Sequence, residues 1–366
     1  MTFVERQTMK FDSPLSCEEG GELPSFGIAF ETYGKLNTSA DNAILICHGL
    51  TADSHAAGWN SKNDLKPGWW DLAIGPGKTF DTARYFVLCS NVIGGCGGST
   101  GPSSVNPKKN GRYAMDFPVV TIGDMVEAQS RLAMALGIKR FLCVAGGCMG
   151  GYQAIEWIRA YPEMMDKAIV IGAAPKASPY RIALWEIMRM AISLDPAFNK
   201  GDYYGASSPV AGIGLATAFG LILRMSPDAL EHKFGLGKLP GHESASPLEP
   251  RFEVEDFIRS AAKKAGASFD ANSLIFLTRA MDLFDVSRGF DSIGKAISGY
   301  KGGALLINYK SDWRYPPEEN EEFRNALAEN GSDVQRHIAE SKLGHGAFIH
   351  EFGEIAPVIA KFLSHS

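Results

Sequence analysis

The 366-residue chain has no Cys-x-x-Cys pair, no block of basic residues, no internal repeat and no low-complexity tract. Each absence narrows the function. Its six cysteines, at 17, 47, 89, 96, 143 and 148, have the spacing of neither a zinc site nor a disulfide framework, so no bound metal is expected. A net charge of -5 without a basic stretch argues against nucleic acid and acidic membrane surfaces as partners. No apolar run reaches the roughly 18–20 residues that cross a bilayer. The stretch MTFVERQTMKFD is charged early and lacks the apolar centre of a secretory signal. A cytoplasmic protein acting on a small molecule is the expectation.

What the chain does have is alternation. Apolar, β-branched runs at 29–34, 42–49, 85–92, 140–146, 167–174, 303–310 and 334–340 read as strands, several of them buried on both faces as in a mostly parallel sheet. Helical patterns at 121–136, 149–160, 318–329 and 354–363 separate them, which is the α/β signature. From 176 to 298 the alternation stops, and four helical segments with a Gly/Pro/Ser-rich connector at 235–250 take its place. The expected layout is an α/β core built from 1–175 and 299–366, with 176–298 inserted as a helical lid over one end of the sheet.

The stretch FLCVAGGCMGGYQAIEW, Phe141 to Trp157, joins a strand to a helix through a turn in which glycines flank Cys148. This is the pattern of a nucleophile elbow, where small neighbours permit a sharply bent backbone that lifts one side chain clear of the sheet. The following helix points its positive end at that side chain and favours a thiolate. Serine is the usual occupant, and cysteine keeps the geometry while changing the leaving-group chemistry. A nucleophile needs a base and the base an orienting acid, arriving in this fold on loops after late strands. Asp312, in SDWRYPPEE, and His345, in KLGHGAF, occupy those places. The oxyanion hole takes one backbone N–H from Met149 and another from Leu50, or from Thr51 next in line. His48 follows a strand directly and belongs to the oxyanion loop as a structural or supporting residue.

The segments CHGLTADSHAAG, DFPVVTIGDMVEAQ, GGCMGGYQAIEW, FDANSLIFLTRAMD and GHGAF resemble those of the homoserine O-acetyltransferase family, and the resemblance runs over nearly the whole chain. It implies an α/β-hydrolase fold with a helical lid and transfer of an acetyl or succinyl group from coenzyme A to a hydroxyl. It implies no bound cofactor, acyl-coenzyme A as co-substrate, and a homodimer formed through lid helices. It places Cys148, Asp312 and His345 on the family's catalytic triad and Leu50 and Met149 on its oxyanion hole. Three positions depart from the family. The nucleophile is cysteine instead of serine. Members that acetylate homoserine carry an aspartate after the histidine for the substrate's amino group, where this chain has Gly346. They also carry a lid arginine for its carboxylate, where this chain has Thr217, with Arg224 two turns further on. Charged hydrogen bonds are worth about 1.5–3 kcal/mol each, so losing both disfavours homoserine as acceptor.

Two functions remain open. An acyltransferase would load Cys148 from a thioester donor, a nearly isoenergetic and reversible step, and pass the acyl group to a hydroxyl or amine. An esterase would use the same three residues with water as the acceptor. An inert binding protein is disfavoured because every member of the triad is present.

Overall fold

The structure, a computed structural model, describes residues 2–240, 246–265 and 269–365, so part of the 235–250 connector lies outside the described residues. Eight strands form its main sheet: β1 (Gln7–Phe11), β2 (Phe26–Tyr33), β3 (Ala43–Cys47), β4 (Phe86–Ser90), β5 (Phe141–Gly147), β6 (Met165–Ile171), β7 (Gly303–Tyr309) and β8 (Asp333–Ala339). Their spatial order is β1-β2-β4-β3-β5-β6-β7-β8. The first two pairings, β1 with β2 and β2 with β4, are antiparallel, and every later pairing is parallel. Strand β3 is buried at every residue and β7 at all but its first, as a sheet covered on both faces requires.

Strand β1 falls outside the expected runs because most of its side chains are exposed or half-exposed, leaving no apolar pattern to mark it. The helices that follow strands are α1 (Ile122–Ala135) and α2 (Met149–Ala160), and near the end α8 (Glu321–Glu329) and α9 (Ala356–Ser364). Thr121 starts α1 with a capping box, its hydroxyl accepting from the Asp124 N–H while the Asp124 carboxylate accepts from the Thr121 N–H.

Between β6 and β7 lie α3 (Pro179–Ser193), α4 (Val210–Arg224), α5 (Pro227–Phe234), α6 (Glu253–Ala265) and α7 (Ala271–Asp282). The four long ones match the helical segments expected there, and α4 packs on both α3 and α6. Among the described residues, no single helix is long and apolar enough to cross a membrane. Strands β3, β5, β7 and β8 end on the same side of the sheet, and the loops leaving them converge beneath α3 and α4.

Candidate active site

Cys148 sits between β5 and α2 with φ 59° and ψ −124°, a left-handed backbone that costs a non-glycine residue about 1–3 kcal/mol. Its neighbours hold it there. A Cβ at Gly150 would stand 2.0 Å from the Cys47 carbonyl oxygen, and one at Gly146 would stand 2.3 Å from that of Gly150. Only glycine lets β3, β5 and α2 approach this closely. The Cys148 N–H donates to the Ile171 carbonyl at 3.0 Å, tying the turn to β6.

Asp312 follows β7 and His345 follows β8, and the fold brings them together. His345 Nδ1 lies 2.7 Å from Asp312 Oδ2. The other carboxylate oxygen accepts from the main-chain N–H groups of Arg314 and Tyr315 at 3.0 and 3.2 Å. With Nδ1–H committed to the carboxylate, Nε2 is the nitrogen left for the sulfur: no geometric hydrogen bond occupies it among the described residues, and His345 acts on the Cys148 thiol. Tyr315 packs against the imidazole at 5.0 Å between centroids, and the Phe348 ring sits edge-on at 5.8 Å.

One residue bonded to the sulfur was not singled out from the sequence. Arg314 Nη2 donates to Cys148 Sγ at 3.3 Å. Its guanidinium is buried over the Trp185 ring at 4.7 Å and the Tyr315 ring at 5.4 Å. Burial pushes the Cys148 thiol up, but the charges of His345 and then Arg314 outweigh it and bring it down to about 6. The other five thiols are all pushed up, chiefly by burial. His345 is likewise raised, because the Asp312 carboxylate prevails over burial. A depressed thiol beside a raised imidazole is the setting for a thiolate–imidazolium pair.

Met149 opens α2, so its N–H has no partner within the helix and helps to hold charge on the sulfur. Gly49 abuts the turn at Cys148: a Cβ there would lie 3.7 Å from Cys148 Cβ, which brings Leu50 and Thr51 to the cavity wall. His48 holds this loop, its Nδ1 paired with the Gly49 carbonyl at 2.8 Å and its Nε2 accepting from the Val92 N–H at 3.1 Å. Both nitrogens are occupied, in keeping with a structural role.

Cys148 opens into a cavity of about 120 Å³ roofed by α3 and α4. Thr217 and Arg224 lie two turns apart on α4 and both line it, whereas Gly346 stands behind Arg224. A Cβ at Gly346 would meet the Arg224 Cγ at 3.3 Å. The missing side chain at 346 and the arginine at 224 are thus one local arrangement. Burial, and then the charge of Arg314, push the Arg224 guanidinium down, and among the described residues no carboxylate pairs with it. Among the described residues the lining has three basic side chains, Arg224, Arg314 and His345, and no Asp or Glu.

A buried sulfur, imidazole and carboxylate at the carboxyl ends of successive parallel strands, under inserted helices, define an α/β hydrolase. The α/β hydrolase fold family matches residues 42–352. A homoserine O-acetyltransferase of Methanohalobium evestigatum is 44% identical over 363 residues, covering 99% of this chain and 74% of the relative. The solved homoserine O-acetyltransferase of Bacillus anthracis superposes with a TM-score of 0.92 at 31% identity, over 100% of this chain and 99% of that one. The solved esterase E22 superposes with a TM-score of 0.91 at 29% identity, over 99% and 100%. The chain belongs to the α/β hydrolase fold family and, within it, to the homoserine O-acetyltransferase-like enzymes.

Proposed function

We propose that the chain transfers a short acyl group from an acyl-coenzyme A thioester, by way of Cys148, to the hydroxyl or amine of a small acceptor that lacks homoserine's ammonium group. The Cys148 thiolate attacks the donor carbonyl, and the charge that develops on oxygen is held by the N–H groups of Met149 and Leu50. The carbon–sulfur bond to coenzyme A breaks, and the leaving thiolate takes the proton of the His345 imidazolium. Neutral His345, oriented by Asp312, then removes the acceptor's proton as its oxygen or nitrogen attacks the thioester. Cys148 leaves as thiolate and the resting pair is restored. Helices α3 to α7 serve as the lid.

The observation that carries the acceptor assignment is the sign of the pocket: basic side chains at Arg224, Arg314 and His345, with no carboxylate among the lining residues. An ammonium group entering it would lose its hydration and meet an excess of like charge, since the Cys148 thiolate is already matched by His345 and Arg314. A carboxylate would find the unpaired guanidinium of Arg224. The test is thiol release from acetyl-coenzyme A with homoserine or with 4-hydroxybutanoate, which is homoserine without its amino group. Faster release with 4-hydroxybutanoate is expected, and efficient acetylation of homoserine would overturn the assignment. The likeness to esterase E22 favours hydrolysis as a second reading. Thiol release that is equally fast with no acceptor present would select it.

A further inference from the structure

The triad reading leaves one buried charge without a task. Arg314 is 5% exposed, and no carboxylate of the described residues pairs with its guanidinium. Asp312 accepts from its main-chain N–H and acts on its side chain only through charge, and Nε has no hydrogen-bond partner among the described residues. What the guanidinium touches is two aromatic faces and the Cys148 sulfur. The residue is held in place from both sides, because Arg181 Nη1 donates to the Arg314 carbonyl at 3.0 Å and is itself buried over the Tyr315 ring.

We infer that Arg314 is a catalytic residue, the counter-cation that keeps Cys148 as a resting thiolate and receives it again as a leaving group. This rests on the reading of Cys148 as the attacking atom. A buried guanidinium needs an anion; the Asp312 carboxylate acts on it from a distance but is committed to His345, whereas the sulfur is the acceptor that Nη2 itself bonds and the first of the charges that hold the cation. A serine hydroxyl at 148 would stay neutral and leave the cation only the Asp312 carboxylate, which already pairs with His345, so cysteine at 148 and arginine at 314 act as a coupled pair. When the thiolate attacks a thioester, its charge departs with the coenzyme A sulfur, which is protonated by His345. The S-acyl cysteine left behind is neutral, and Arg314 faces it without a counter-ion. Expelling the thiolate in the second half-reaction restores the pair, so Arg314 favours passing the acyl group on over storing it. The other groups whose charge acts on Cys148 are His345, Arg224, Tyr152 and Tyr315.

The test is the pH profile of Cys148 alkylation by limiting iodoacetamide, read by peptide mapping, in the native chain and in Arg314→Gln and Arg314→Lys. It needs no acyl donor, so it stands apart from the acyltransfer assignment. The native rate is expected to be half-maximal near pH 6, where the thiol is placed at about 6. In Arg314→Gln the profile moves up by a unit or more, so the rate at that pH falls about fivefold or more, and Arg314→Lys restores most of it. A residue that only packs between Trp185 and Tyr315 would leave the profile in place, and an unshifted profile in Arg314→Gln overturns the inference. A thermal-melt cycle keeps the question decidable if Arg314→Gln folds poorly. Arg314→Met is expected to lower the melting temperature of the native chain and to raise it, or leave it unchanged, in Cys148→Ser. Equal lowering in both backgrounds would refute the coupling.

Discussion

Replacing Arg224 with methionine removes the guanidinium from the pocket while keeping an unbranched apolar stem. Arg224 ends α4, lines the cavity of Cys148 and lies against Gly346, with no carboxylate of the described residues to pair with. If its partner is a substrate carboxylate, the substitution deletes one charged hydrogen bond, worth about 1.5–3 kcal/mol. That corresponds to a fall of about 10- to 150-fold in kcat/KM for 4-hydroxybutanoate, at about 1.4 kcal/mol per factor of ten. A neutral alcohol of the same length is expected to lose nothing. The fold loses no ion pair, so the melting temperature holds or rises. A converse change sharpens the case: Gly346→Asp sets a carboxylate against the Arg224 stem, where a Cβ lies 3.3 Å from Cγ. It neutralises the guanidinium and gives an ammonium group a partner, so the ratio of homoserine to 4-hydroxybutanoate turnover rises. The assay is steady-state thiol release with both acceptors and the neutral alcohol. Equal losses in Arg224→Met for charged and neutral acceptors, or no loss for either, would refute the reasoning.

Asp312→Asn removes the carboxylate that faces His345 at 2.7 Å and is expected to cut turnover by about 100-fold or more, measured by thiol release with the fold checked by circular dichroism. Trp70→Phe leaves the Phe348 carbonyl, now bonded by the indole N–H at 2.8 Å, buried and unsatisfied beside the His345 loop. Urea unfolding is expected to show a loss of about 1–3 kcal/mol. Limiting iodoacetamide at neutral pH is expected to label Cys148 before Cys96 or Cys17, whose thiols burial pushes up. Earlier labelling of either would remove Cys148 from its assigned role.

The sheet could be read from the chain because buried parallel strands are continuous apolar runs, and β3, β5, β6 and β7 carry that mark plainly. Strand β1 could not be, since its edge position leaves it largely exposed and chemically plain. Cys148 was legible because the elbow needs glycines at fixed offsets, and steric contact with Cys47 is what those glycines relieve. Arg314 was not. In SDWRYPPEE an arginine within a charged loop resembles a solvated one, and only the fold carries it across 166 residues of sequence to the sulfur. The contact between Arg224 and Gly346 was hidden for the same reason. Sequence shows each as an isolated departure from a family pattern, and the packing shows that one makes room for the other.

The most direct measurement is to mix the protein with limiting acetyl-coenzyme A, quench rapidly and map the acetyl group by peptide mass. The expected result is one acetyl group on the peptide carrying Cys148, with one thiol released per chain, cleared faster by 4-hydroxybutanoate than by water. No acetyl on Cys148, or a label that clears at the same rate with and without acceptor, would contradict acyl transfer through this cysteine.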